Sequence, residues 1–138
     1  MATRTQARES VVGLLYAYDL GNEAIAKFSD VILEDKKIRN KQKDFALTLF
    51  NGTIDNLEKI DEEITSHLSK RDITDVGSVE KAILRLSIYE IFFSGLDKPI
   101  IINEAIELSK RLASDNAPKF INGVLDSINR DTKEEEAK

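Results

Sequence analysis

Few side chains in this sequence are of the kinds that do chemistry, and their spacing argues against most of it. His67 is the single histidine, and its neighbours Ser66 and Lys70 supply neither a metal-ligand spacing nor a nucleophile and base pair. It reads as a solvated residue at a helix end. Glu104 and Glu107 lie one helical turn apart, as a pair of acid and base carboxylates would, but an ordinary exposed helix face has the same spacing. Cysteine is absent, which removes disulfides, thiolate nucleophiles and sulfur-ligated zinc. Neither a phosphate-binding glycine loop nor a dinucleotide-binding glycine pattern occurs, so no metal or other cofactor is indicated. The residues point away from an enzyme.

What remains is mainly cationic. Lys81 and Arg85 stand one turn apart beside Glu80, either as a positive strip able to meet phosphates or as an ordinary charged helix face. Lys36, Lys37, Arg39, Lys41 and Lys43 form a denser group between Asp35 and Asp44, and read as a solvated loop at a helix start. The formal net charge of -5 excludes a protein that coats nucleic acid nonspecifically, because that mode needs many cations to neutralise phosphates. Any such contact has to be local.

Helices must position these groups. A chain of 138 residues, 41% hydrophobic and 33% charged, has the size and composition of one soluble domain that folds without crosslinks. The apolar stretch after Met1 to Glu9 is broken by Tyr16, Tyr18 and Asp19, too short for a signal segment or a membrane span, which predicts a cytoplasmic protein. Val11, Leu14, Leu15 and Tyr18 share one helical face, predicting a helix from Thr3 to Leu20, with Thr3 and Gln6 in capping-box spacing and Gly21-Asn22 at its end. A short helix is expected near Ser29 to Asp35, and one long helix from Asn40 to Leu68.

The polar stretch Arg71 to Gly77 then divides an all-α chain of six to seven helices into an N-terminal helical subdomain over 1–72 and a C-terminal one over 77–129. The helix Ser78 to Ser94 is apolar on two sides, with Val79, Ile83, Leu86 and Phe93 on one and Leu84, Ile88 and Ile91 on the other, and is expected to be central. Pro99 suits the first turn of a helix burying Ile102, Ala105, Ile106, Ser109, Leu112 and Ala113. A last helix from Ala117 to Asn129 carries Phe120, Ile121, Val124, Leu125 and Ile128, followed by a charged tail over 130–138. Asn51-Gly52 and Asn122-Gly123 fall within helical periodicity, so both glycines are expected inside helices at close crossings.

Three blocks in order, VEKAILRLSIYE from Val79 to Glu90, INEAIELSK from Ile102 to Lys110 and KFINGVLD from Lys119 to Asp126, resemble the NusB family. Arg8-Glu9 leading to Leu14-Leu15-Tyr16 extends the likeness over essentially the whole chain. The resemblance implies two helical subdomains, each near a three-helix bundle. It also implies a non-catalytic adaptor that binds the single-stranded boxA segment of ribosomal-operon RNA together with NusE, a small-subunit ribosomal protein, and helps RNA polymerase pass terminators. NusB-like domains also occur as accessory modules of ribosomal RNA methyltransferases, which is the alternative.

The family's N-terminal arginine-rich stretch maps onto Arg4 and Arg8. The resemblance further places Tyr16 and Glu80 on the RNA and partner face, and Asn116, Lys119 and Phe120 in the RNA-binding segment that opens the last helix. By spacing alone Phe120 reads as part of the buried stripe of Val124 rather than as a stacking platform, and Tyr16 could either pack or reach solvent. With single-stranded RNA the salt slope is about -0.7 per phosphate neutralised, so two or three contacts predict weak, salt-sensitive binding without the partner. If sparse N-terminal arginines are compensated, the Lys36 to Lys43 cluster is where compensation would lie.

Overall fold

Thr3 starts the first helix as its spacing to Gln6 predicts: the Gln6 backbone N–H donates to Thr3 Oγ1 at 3.0 Å, and the Thr3 N–H donates to Gln6 Oε1 at 2.9 Å. This reciprocal cap satisfies two of the donors that a helix N-terminus leaves open. The resulting α1 spans Arg4–Asp19 and closes near Gly21, whose φ of +104° a glycine adopts without strain. The computed structural model describes residues 1–129, and the expected charged tail lies outside the described residues. Among the described residues the regular elements are helices only: α1, α2 (Ile25–Asp35), α3 (Lys41–Asp55), α4 (Leu57–Ser66), a 3-10 turn at Ile73–Asp75, α5 (Ser78–Phe93), α6 (Lys98–Leu112) and α7 (Ala117–Asp126).

Three boundaries differ from expectation. The second helix begins a turn early, at Ile25, because the backbone bonds from Ala26 N–H to Glu23 O and from Lys27 N–H to Ala24 O already close there. The single helix expected from Asn40 to Leu68 is two, α3 and α4, which meet at Asn56. There the Asn56 side-chain amide donates to Gly52 O at 2.8 Å and its own N–H to the same carbonyl at 3.2 Å. An asparagine amide that competes for backbone carbonyls ends a helix in this way. The apolar repeat hides the break, since Ile60 and Ile64 of α4 are buried like Leu49 and Phe50 of α3. The last helix closes at Asp126, although Ile128 beyond it is still buried.

The helix α5 is central, as its two apolar sides require: every residue from Ala82 to Ile88 is buried, and it packs on α1, α3, α4, α6 and α7. Phe93, expected on its buried face, is 52% exposed, because it lies in the final turn, where its ring rests on Tyr89 at 5.1 Å between centroids. In α6 the buried stripe is Ile101, Ile102, Ala105, Leu108 and Ser109, with Ile106, Leu112 and Ala113 only partly covered. Gly52 does mark a close crossing, since a Cβ there would fall on the Tyr89 ring. Gly123 does not: a Cβ there would meet nothing within 4 Å. α1 contacts α2, α3 and α5, and α6 packs on α5 and α7, so the buried side chains form one continuous cluster.

Candidate nucleic-acid interface

Four of the expected site residues are positioned by the fold as a group. Asn116 precedes α7, Lys119 and Phe120 lie in its first turns, and Glu80 lies in the first turn of α5 with its carboxylate over Gly77. An acidic residue there is favourably placed at the positive end of the helix. A cavity of about 290 Å³ joins Glu80, Asn116 and Phe120, and an adjoining one of about 510 Å³ adds Lys119 and His67. Arg71, which the sequence reading missed, lines both, with its guanidinium 4.8 Å over the Phe120 ring. Phe120 is only partly buried, so it is neither a pure core residue nor a free platform. Capped by a cation at the edge of a groove, it offers the planar stack that unpaired bases use.

Tyr16 stands at the next opening along. It is 39% exposed and lines a cavity of about 320 Å³ with Val79, Leu112 and Lys36. Val79 adjoins Glu80 in α5, so the Tyr16 opening and the Phe120 grooves flank the start of that helix.

The expected arginines behave differently. Arg8 is 5% exposed: its Nε donates to Glu90 Oε2 at 3.0 Å and its Nη2 to Glu90 Oε1 at 2.9 Å, while the guanidinium lies 5.1 Å over Phe45. Arg85 is buried as well, with Nη2 donating to Asp61 Oδ2 at 2.8 Å and Nη1 to Asp19 Oδ1 at 3.0 Å. Burial works against the charge of Arg85, but the hydrogen bonds and attraction from Asp61 and then Asp19 more than offset it and hold its pKa above the usual arginine value. Lys81 completes this group at 3.2 Å from Asp19. Lys81 and Arg85, expected to form a strip, thus pair with carboxylates of α1 and α4, and Arg8 and Arg85, expected to meet RNA, lie buried against Glu90 and against Asp61 and Asp19. Arg4 remains exposed, over Phe45 at 4.3 Å.

His67 and Glu104 have structural partners. Ser127 Oγ lies 2.8 Å from His67 Nδ1 and donates to Val124 O, while Glu63 lies 3.4 Å from His67 Nε2, so the histidine ties the end of α4 to the end of α7. Glu104 accepts from the Thr5 hydroxyl at 3.2 Å and lies 3.9 Å from Arg8, away from Glu107, which pairs with Lys110. The two carboxylates therefore serve separate local contacts. Among the described residues, no group of three His, Asp or Glu side chains is placed to hold a metal ion, and no helix is long and apolar enough to cross a membrane.

Fold and surface together define an all-α protein whose candidate site is an open face of cations, amides and partly covered aromatic rings. The model of the NusB family matches residues 5–130, and the chain belongs to that family. Among its relatives, the transcription antitermination protein NusB of Aliarcobacter butzleri is 75% identical over 128 residues, covering 93% of this chain and 98% of that one. The protein of the same name from Sulfurovum is 65% identical over 130 residues, covering 94% and 100%. NusB of T. maritima superposes with a TM-score of 0.79 at 30% identity, covering 91% of this chain and 89% of that one. A crystal structure of antitermination factors NusB and NusE in complex with dsRNA aligns with a TM-score of 0.80 at 33% identity over 90% and 93% of the two chains.

Proposed function

We propose that this protein is a cytoplasmic, non-catalytic transcription antitermination factor that binds boxA-type single-stranded RNA of ribosomal operons jointly with NusE and helps RNA polymerase read through terminators. Membership of the NusB family and relatives named for antitermination support the broad role. The NusB and NusE complex with dsRNA, aligned over most of this chain, supports RNA and NusE as the two kinds of partner, and the single-stranded form of the RNA is the part this reading adds. The observation that carries the reading is the face at the start of α5 and α7: Arg71 over Phe120, with Asn116, Lys119 and Glu80 beside it and Tyr16 at the next opening.

Each part has a physical task. Phe120 and Arg71 offer a surface for a base to stack against, Asn116 can hydrogen-bond a base edge, and Lys119 can meet a phosphate. Glu80 provides a polar contact for the NusE partner, and Tyr16 serves both RNA, through its ring, and the partner, through its hydroxyl. The test is fluorescence anisotropy with labelled boxA RNA and a scrambled RNA of equal length, with and without NusE. Tighter binding of boxA, strengthened by NusE, is expected; equal binding of both RNAs in each condition overturns the proposal.

A further inference from the structure

The five cations from Lys36 to Lys43 separate into two kinds. Arg39 pairs with Glu34 at 3.1 Å, and Lys43 with Asp30 at 2.9 Å and Glu34 at 3.2 Å, so these two clamp α2 to the start of α3. Lys36, Lys37 and Lys41 are exposed and form no ion pair among the described residues, although Asp35 and Asp44 are close in sequence. Simple solvation of a mixed-charge loop would leave them unrelated to the surface around them. Instead the loop faces α1 across a groove of about 750 Å³, with Lys36 and Lys37 on one side and Gln6 and Ser10 on the other.

Lys36 also reaches beyond the groove. Gly13 of α1 has no side chain, and a Cβ there would lie 3.7 Å from Lys36 Nζ, so the ammonium lies along the helix at that point. It thereby lines the opening that holds Tyr16. The one carboxylate these two openings share, Glu9, is occupied by Arg111 at 3.0 Å. Lys37 has a φ of +64° and Asn40 one of +58°, and for a lysine that backbone conformation is uncommon. It shapes a tight loop beside the groove.

We infer that the groove between the N-terminal half of α1 and the Lys36 to Asn40 loop is a second RNA contact, a phosphodiester track leading to Tyr16. This rests on the RNA-binding reading above and deepens it. An array of unpaired cations ending at an exposed aromatic ring is the combination that holds single-stranded nucleic acid, with charge following the backbone and the ring receiving a base. It supplies the cations that the N-terminus lacks once Arg8 is committed to Glu90.

The experiment compares the full chain with the double variant Lys36→Gln, Lys37→Gln, and with a charge-matched control, Lys27→Gln, Lys59→Gln. RNA affinity is measured by anisotropy over a series of salt concentrations. Loss of two phosphate contacts should make the slope of log K against log salt shallower by about 1.4, and weaken binding about 25-fold at 0.1 M salt. The control should keep the wild-type slope. RNA binding by the wild type with the same slope in both double variants overturns the inference while leaving the RNA-binding reading intact. No RNA binding by the wild type defeats the reading and the inference together. Displacement of RNA by polyglutamate as readily as by unlabelled RNA would assign the groove to an acidic peptide and also overturn the inference.

Discussion

A guanidinium as deeply placed as that of Arg8, with 6% of its side chain exposed against 2% for Glu90, is retained only because the carboxylate meets it in two parallel hydrogen bonds. Removing one member leaves the other charged in an apolar setting. Arg8→Met should therefore cost about 3–5 kcal/mol of stability, and Glu90→Met a similar amount, whereas the double variant should recover most of the loss, because two thioether chains replace the pair without stranding a charge. Urea denaturation of the four proteins closes the cycle; a double variant as unstable as the sum of the singles would mean that the residues act independently. This geometry also explains where sequence reading stopped. Arginines near an N-terminus look like free cations, and nothing local marks Arg8 as buried, since its partner lies 82 residues away. The same holds for Arg85, whose carboxylates come from α1 and α4, and for Arg71, whose aromatic partner is in α7. That Asn116, Lys119 and Phe120 lie together was legible, because neighbouring residues at one helix start stay together in any fold.

At the scale of elements, the contact between α3 and α5 depends on Gly52, over which the Tyr89 ring lies where a Cβ would be. Two effects of Gly52→Ala oppose each other. Alanine favours a helix interior by about 1 kcal/mol relative to glycine, while forcing volume into a packed contact costs about 1–3 kcal/mol. Tyr89 cannot move away without cost, because its ring also packs on Phe93. The substitution should therefore destabilise the wild-type protein but stabilise a Tyr89→Ala background by about 1 kcal/mol, where only the propensity term remains. Thermal melts of the four variants read the change of sign, and destabilisation in both backgrounds would show that the ring is not the obstacle. The helices themselves were legible where periodicity and a cap coincide, as at Thr3 and Gln6 for α1 and Pro99 for α6. The division of α3 from α4 was not, because Asn56 interrupts the backbone hydrogen bonding without interrupting the apolar repeat.

For the whole molecule, the position of α5 decides how the chain unfolds. It packs on α1, α3 and α4 of the N-terminal part and on α6 and α7 of the C-terminal part, and one apolar cluster includes buried residues from all of them. The N-terminal helices also pack on one another, α1 on α3 and both on α2, so α5 is the element they share with α6 and α7. Two bundles joined by a linker would melt separately, whereas a shared central helix couples them into one transition. Ile88, fully buried at the middle of α5, is the place to test this. Ile88→Ala should cost about 2–5 kcal/mol, the range for opening a cavity in a packed core. Native-state hydrogen exchange should then show the slowest amides of α3 and of α7 losing protection by the same amount, because both report the same global opening. A loss confined to α6 and α7, with α3 unchanged, would identify two separately unfolding units and make the Arg85 clamp to Asp19 and Asp61 the link between them. Equal loss in both would mean that the candidate face, drawn from α1, α5 and α7, is held in one piece by the same helix that organises the core.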